Sequence, residues 1–303
     1  MPRRGLKRIM WAALACALVS SSVALANNVP KERTPEKVPP ALPFVPSEQL
    51  VYEGEFSKLL LRGIKIAEMR FTARRGQPAT ATATAAQADN AAAPVPTGAD
   101  AAPLLFTSDI ESKGWFRKLF GINFRVHIES TVDPATFSVM RTTKHDDQGK
   151  RVRTSEAVFD MGAKMVEWTE RDPNNVQQPP RVVTAVLDGT THDIISAIYF
   201  LRSQRLTPGQ TFELAVSDSG RVYRVPALVM NERKKVKTVI GKVQVVRIDV
   251  GIFGAGRPIE NSEGKMSLWV TDDERHIPVR AKLSHEMGTL EIKLKSFNKT
   301  KNL

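Results

Sequence analysis

One cysteine, Cys16, stands in a chain of 303 residues. A single thiol forms neither an internal disulfide nor a thiolate metal cluster, so neither holds this fold together. The five histidines, His127, His145, His192, His276 and His285, show no H-E-x-x-H spacing, and His285-Glu286 lacks a second ligand. No G-x-S-x-G elbow occurs, which removes the usual signature of a serine nucleophile. Gly251-x-x-Gly254-x-Gly256 lacks the spacing and the following helix of a dinucleotide site and reads as a loop. What remains is ordinary in bulk: 42% hydrophobic, 25% charged, with 44 basic against 32 acidic residues and a net charge of +12. Such a chain builds a sizeable core and is neither largely disordered nor a multi-span membrane protein.

The N-terminus is unlike the rest. Arg3, Arg4, Lys7 and Arg8 precede an uncharged apolar run, Ile9 to Ala26, that ends in Ala24-Leu25-Ala26. This pattern is a secretory signal with an A-x-A cleavage site before Asn27. A retained membrane anchor is the competing reading, but the run is barely long enough and Ser20, Ser21 and Ser22 dilute it. Ala13-Leu14-Ala15-Cys16 also loosely resembles a lipobox, the alternative in which Cys16 is acylated and the protein is an outer-membrane lipoprotein. Cleavage after Ala26 removes four of the 44 basic residues and none of the 32 acidic ones, leaving +8 and no cysteine. The expected location is therefore the periplasm, whose oxidising chemistry such a chain tolerates.

Residues 27–46 hold six prolines and read as an extended tether. Residues 76–103 alternate Ala and Thr before Ala-Pro-Val-Pro-Thr-Gly, too little apolar bulk to offset ordering, so a disordered insertion is expected there. The remainder, 47–298, reads as one β-rich domain. Strands are expected at 50–55, 64–73, 125–132, 152–159, 164–170, 181–186, 211–216, 221–229, 235–240, 242–251, 265–270, 279–285 and 289–297. Near the end Leu290, Ile292, Leu294 and Ser296 share one face against Glu291, Lys293 and Lys295 on the other. Asp146-Asp147-Gln148-Gly149 and Ser217-Asp218-Ser219-Gly220 are hairpin-length links that favour antiparallel neighbours. Residues 192–203 break the period: Ile194, Ile195, Ile198, Tyr199 and Leu201 fall at helical spacing, capped by Thr191 or Asp193, with Pro208-Gly209 beyond. The expected fold is mainly β, a curved antiparallel sheet or incomplete β-barrel with one principal α-helix.

The order Pro43-Phe44, Glu48-x-Leu50-x-Tyr52, Val158-Phe159-Asp160, Asp193-x-x-Ser196-Ala197-x-Tyr199-x-x-Arg202, Pro208-Gly209, Trp269-x-Thr271-Asp272-Asp273-x-Arg275-x-Ile277-Pro278-Val279 and Gly288-Thr289-Leu290 resembles the bacterial exported family called domain of unknown function 3108. The resemblance runs from Pro43 to Phe297; its most specific pieces are the helix motif and the Trp-x-x-Asp-Asp-x-Arg-x-Ile-Pro hairpin. It implies an envelope β-protein in which Asp193, Tyr199, Arg202, Trp269, Asp272, Asp273 and Arg275 form structural motifs. It carries over no catalytic residue and no cofactor.

Two patches stand apart. Trp115-Phe116-Arg117-Lys118-Leu119-Phe120, between glycines, suits a membrane interface or the mouth of an apolar cavity, and equally a hairpin corner packed on the sheet. Arg233, Lys234, Lys235, Lys237 and Lys242 cluster on a hairpin without aromatic partners, so nucleic acid is not the expected partner; a solvated face or an anionic envelope surface is. Asp272, Asp273, Glu274 and His276 form an acidic turn in which Arg275 pairs with an aspartate, rather than a metal site. The expected function is non-enzymatic binding or carriage of a lipid or other apolar or amphiphilic molecule, with Trp115, Phe116, Leu119 and Phe120 at the entrance. The alternative is an envelope scaffold that binds a protein partner along a sheet edge.

Overall fold

The computed structural model describes residues 42, 44–45, 47–76, 102–114, 121, 123–260 and 263–299. Among them the backbone forms one 15-stranded sheet. In chain order the strands are β1 (Glu48–Lys58), β2 (Leu61–Arg75), β3 (Leu104–Ser112), β4 (Arg125–Val132), β5 (Val139–Asp147), β6 (Val152–Asp160), β7 (Met165–Arg171), β8 (Arg181–Val186), β9 (Thr191–His192), β10 (Thr211–Asp218), β11 (Arg221–Thr238), β12 (Gly241–Val250), β13 (Gly264–Thr271), β14 (Pro278–His285) and β15 (Gly288–Lys299). One complete helix, α1 (Ile194–Ser203), lies between β9 and β10. The fold is mainly β, an open curved sheet with a helix packed on it, as the sequence pattern implies.

The spatial order is β8-β7-β6-β5-β4-β3-β2-β1-β15-β14-β13-β12-β11-β10-β9. Each ladder but one joins strands consecutive in the chain. The exception, β1 with β15, pairs Glu48–Ser57 with Thr289–Lys299 and unites two meanders at mid-sheet. Apart from the parallel β9–β10 pair the ladders are antiparallel, and most of their links are short, as antiparallel neighbours allow. The β10–β11 turn is two residues long, Ser219 and Gly220, both at positive φ, the conformation that matches the twist of a tight hairpin.

Curvature brings this turn against the far side of the sheet. A Cβ at Gly220 would lie 2.7 Å from the Val183 Cβ on β8 and 3.0 Å from the Trp168 Cβ on β7, so the two halves meet by side-chain packing rather than by a ladder. This is an incomplete barrel. Helix α1 fills part of its concavity. Ile195 and Tyr199 join Phe106, Val139, Phe159 and Trp168 in one core cluster, while Ala197 and Leu201 join Leu214, Val229, Ile248 and Leu268 in another. A third cluster, around Leu50, Tyr52, Ile66, Val279, Leu290 and Leu294, underlies the mid-sheet seam.

Several local expectations shift. Strands β3 and β5 were not expected, and 221–229 with 235–240 is the single strand β11, bent where its pairing with β12 slips between Val229 and Arg233. A bulge at Lys295 re-phases β15, so Phe297 rather than Ser296 packs on the core. The helix begins at Ile194 with Asp193 as its cap, and Ile194 itself is exposed. The signal, most of the tether and most of the insertion lie outside the described residues.

Gly220→Ala combines a positive φ with a clash onto Val183 and Trp168. It is expected to destabilise the chain by about 1–3 kcal/mol, measured by urea unfolding, whereas Gly149→Ala, with open space around its Cβ, meets backbone strain alone and costs less.

Candidate functional site

Two polar constellations sit on α1, one at each end. At the C-terminal end Arg202, 1% exposed, is enclosed by apolar rings. Its guanidinium donates to both carboxylate oxygens of Glu48 on β1, at 2.6 and 2.9 Å, and to the Arg275 carbonyl at 3.2 Å. The planar fork of arginine suits this bidentate contact, which lysine cannot reproduce. Arg202 also lies 5.0 Å over the Tyr199 ring and 5.9 Å from that of Phe44. Tyr199 in turn stacks on Phe106 at 4.1 Å. Burial alone would lower the Arg202 pKa, but the hydrogen bonds and charge of Glu48 outweigh it and raise it. Burial pushes the hydroxyls of Tyr52 and Tyr199 up, so both stay neutral.

The turn after β13 completes this cluster. His276 donates from Nδ1 to the Arg202 carbonyl at 2.8 Å, and Tyr52 donates to the Pro278 carbonyl at 2.8 Å. Asp273 accepts from Thr271 at 2.6 Å and from Arg275 at 2.8 Å, and these contacts hold its carboxyl below the usual range although partial burial opposes them. Asp272 pairs with Arg233 at 3.0 Å, and Arg280 lies 4.9 Å over the Trp269 ring. Thus the separated sequence motifs at 44–52, 199–202 and 271–278 converge on one buried ion pair. Every oxygen of Glu48 is engaged, which leaves this cluster structural rather than reactive.

The helix start is different. Asp193 caps α1 by accepting from the Ser196 backbone at 2.7 Å, while Ser196 accepts from the Asp193 backbone at 2.9 Å, a reciprocal capping box. Its second oxygen accepts from Ser130 on β4 and, at 2.9 Å, from Thr142 on β5. Beside this cap an open groove of about 100 Å³ runs between β4–β7, the first residues of α1 and the β10–β11 turn. Its apolar lining includes Ile128, Phe159, Trp168 and Ile195; its polar lining includes Thr142, Lys144, Asp146, Arg153, Glu170 and Asp218. Arg153 is committed to Asp172, and Asp146 accepts from Gln148 at 3.0 Å.

Asp218, at the end of β10, is the unbalanced member. Its Oδ2 is buried without a hydrogen-bond partner. Burial pushes its carboxyl up to about 6, with Lys144 and Ser219 opposing and the Asp193 charge adding to the rise. A buried acceptor left unpaired costs stability; the other carboxylate oxygen accepts from the Ser219 hydroxyl of the turn at 3.4 Å. The arrangement suits a small group that donates a hydrogen bond to Asp218 and lays an apolar part along Phe159, Trp168 and Ile195. Asp218 and Trp168 were read from sequence as turn and strand residues. Trp115, Phe116, Leu119 and Phe120, expected at a cavity mouth, lie outside the described residues. No group of three or more potential metal-ligating side chains occurs among the described residues.

A family model described as "protein of unknown function (DUF3108)" matches residues 95–295, about two thirds of the sequence. The chain belongs to the DUF3108 family. The matched residues include the helix motif, the Trp269–Val279 hairpin and the whole groove, while Phe44, Glu48 and Tyr52 precede them. Among solved structures, the DUF3108 chain is similar to a beta-barrel-like protein of domain of unknown function DUF1849 from Brucella abortus. That match has a TM-score of 0.50 at 10% identity, over 83% of this chain and 97% of the other; likeness at this identity shows the fold alone. A protein from Parabacteroides distasonis matches at a TM-score of 0.30 and 7% identity, over 87% of this chain and 100% of the other. No curated protein matches the chain. No helix among the described residues is long and apolar enough to cross a membrane.

Removing one partner of the buried pair strands the other. Arg202→Met is expected to destabilise the chain by about 3–5 kcal/mol, with Arg202→Lys recovering little. Combining Arg202→Met with Glu48→Leu should recover a large part of the loss, and urea unfolding of the four proteins measures it.

Proposed function

We propose that this DUF3108 protein is an exported, non-enzymatic binding protein of the cell envelope whose groove holds the head of a small apolar or amphiphilic molecule. The observation that carries this reading is the unpartnered Asp218 Oδ2, buried beside an open groove in which Ile128, Phe159, Trp168 and Ile195 form an apolar strip among charged and hydroxyl side chains. A buried carboxylate oxygen that the fold leaves unpaired points to a ligand. The volume suits a ring-sized group rather than a whole acyl chain, since cavities of this order hold a benzene-sized guest. Export is supported by the basic-then-apolar run ending in Ala24-Leu25-Ala26.

A second reading is favoured by β8. It has a ladder partner on one side, β7, and its Val182 and Val186 are 51% and 73% exposed. A ladder edge left unpaired, with exposed apolar side chains on either side of the point where Gly220 meets Val183, is a template for strand addition by a protein partner.

Native mass spectrometry of the protein purified from its own envelope separates these readings. A bound small molecule that is lost in both Asp218→Asn and Trp168→Ala supports the groove; a clean mass beside a stoichiometric protein partner supports the edge. Above about pH 6 the Asp218 carboxylate is ionised and accepts hydrogen bonds, so retention of the molecule is expected to fall as pH drops through about 6. Stability of the ligand-free chain runs the other way. The folded-state pKa of about 6 exceeds the ordinary 3.8, so the native state binds more protons between them and gains stability as pH falls through that window. Asp218→Asn should therefore raise the melting temperature at pH 8, with the gain disappearing by about pH 4.

A further inference from the structure

The β1–β2 hairpin ends in a feature the fold does not need. Lys58 and Leu61 form the last register pair, so Leu59 and Leu60 make a two-residue turn. Leu59 sits at φ 50°, a conformation that tight hairpins fill with Asn, Asp or Gly. Leucine there is strained, and it is also wet: Leu59 is 78% and Leu60 99% exposed, the latter the most exposed large apolar side chain among the described residues. The turn is nonetheless well held, since the Gly63 backbone donates to the Ser57 hydroxyl at 2.9 Å. Two leucines are thus presented to solvent at the end of a formed hairpin, where a polar pair would serve folding better.

Charge indicates what covers them. Lys58 and Arg62 flank the pair, and neither has an ion-pair partner among the described residues. Lys65, next along the same ribbon, is already neutralised by Glu53 at 2.7 Å. An apolar tip between unpaired cations matches the boundary of an anionic bilayer, with leucines entering the acyl edge and cations remaining at the phosphates. The aliphatic stems of Lys58 and Arg62 can lie along the apolar boundary while their charged ends stay at the phosphates, the arrangement that long basic side chains adopt at membrane interfaces.

We propose that the β1–β2 turn, Leu59-Leu60 between Lys58 and Arg62, is a membrane-contact tip that inserts into the surface of a bilayer carrying anionic lipid. This surface is independent of the groove. The test uses the full chain, identical at its N-terminus in every variant, with vesicles of phosphatidylglycerol and phosphatidylethanolamine and with vesicles of phosphatidylcholine alone. Co-sedimentation with the anionic vesicles is expected, reduced about tenfold or more in Leu59→Ser/Leu60→Ser and weakened with increased salt or in Lys58→Glu/Arg62→Glu. Because residues 1–26 are themselves apolar and the chain holds four tryptophans, a second readout isolates the tip: the emission that Leu60→Trp adds over the wild-type chain, from a fully exposed position, should shift to shorter wavelength with anionic vesicles and not with phosphatidylcholine. An unshifted Leu60→Trp emission overturns the proposal. So does undiminished vesicle binding by the folded serine variant, or a dimer in sedimentation velocity that this variant abolishes while the tryptophan stays unshifted, which would assign the tip to a second copy of the chain.

Discussion

The buried pair between Arg202 and Glu48 is the constraint on which the rest of the molecule rests. It joins the C-terminal end of the helix to the central strand of the sheet, and through the Arg275 carbonyl to the turn after β13. Desolvating two charges is favourable only when their geometry is near ideal and every remaining donor is used. That requirement fixes the axial position and rotation of α1, and so determines where the opposite end of the helix, with Asp193 and the groove, must lie. The groove is therefore positioned by a contact roughly two and a half helical turns away, on the scale of 3.6 residues per turn.

Much of the architecture was legible because strands with one wet face write their period plainly. The bounds of β4 and β8 agree with the sequence reading to the residue. Strand β5 was not legible: after Val139 and Met140 it runs Arg-Thr-Thr-Lys-His-Asp-Asp, whose lysine and two aspartates are types that strands disfavour. It is a strand because β4 and β6 pair with it on both sides. Propensity yields there to neighbours. The Lys295 bulge was equally hidden, since an extra residue leaves no mark in a local pattern yet exchanges Ser296 for Phe297 at the core.

The two polar constellations were legible to different degrees. Asp193, Tyr199, Arg202 and the Trp269–Val279 hairpin drew attention by their spacing, but that spacing did not disclose that Glu48, 154 positions earlier, is the partner of Arg202. The groove was hidden further. Asp218 sits in Ser-Asp-Ser-Gly, a composition that tight turns prefer for local reasons, and its distinguishing property is a buried oxygen without a partner, which exists only after the barrel curls. Filling of the concavity by Ile195, Tyr199 and Leu201 also reduces the hollow of a curved sheet to a groove beside the helix cap.

The strand order has one more implication. Because β1 lies between β2 and β15, the first and last ribbons of the sheet are side-by-side at its centre. One edge of β1 stays vacant until β15, the last strand of the sheet in chain order, pairs with it, and the two meanders on either side remain unjoined until then. Completion of the sheet consequently waits for its last strand: a truncation that removes β15 splits the sheet through its middle rather than trimming its rim.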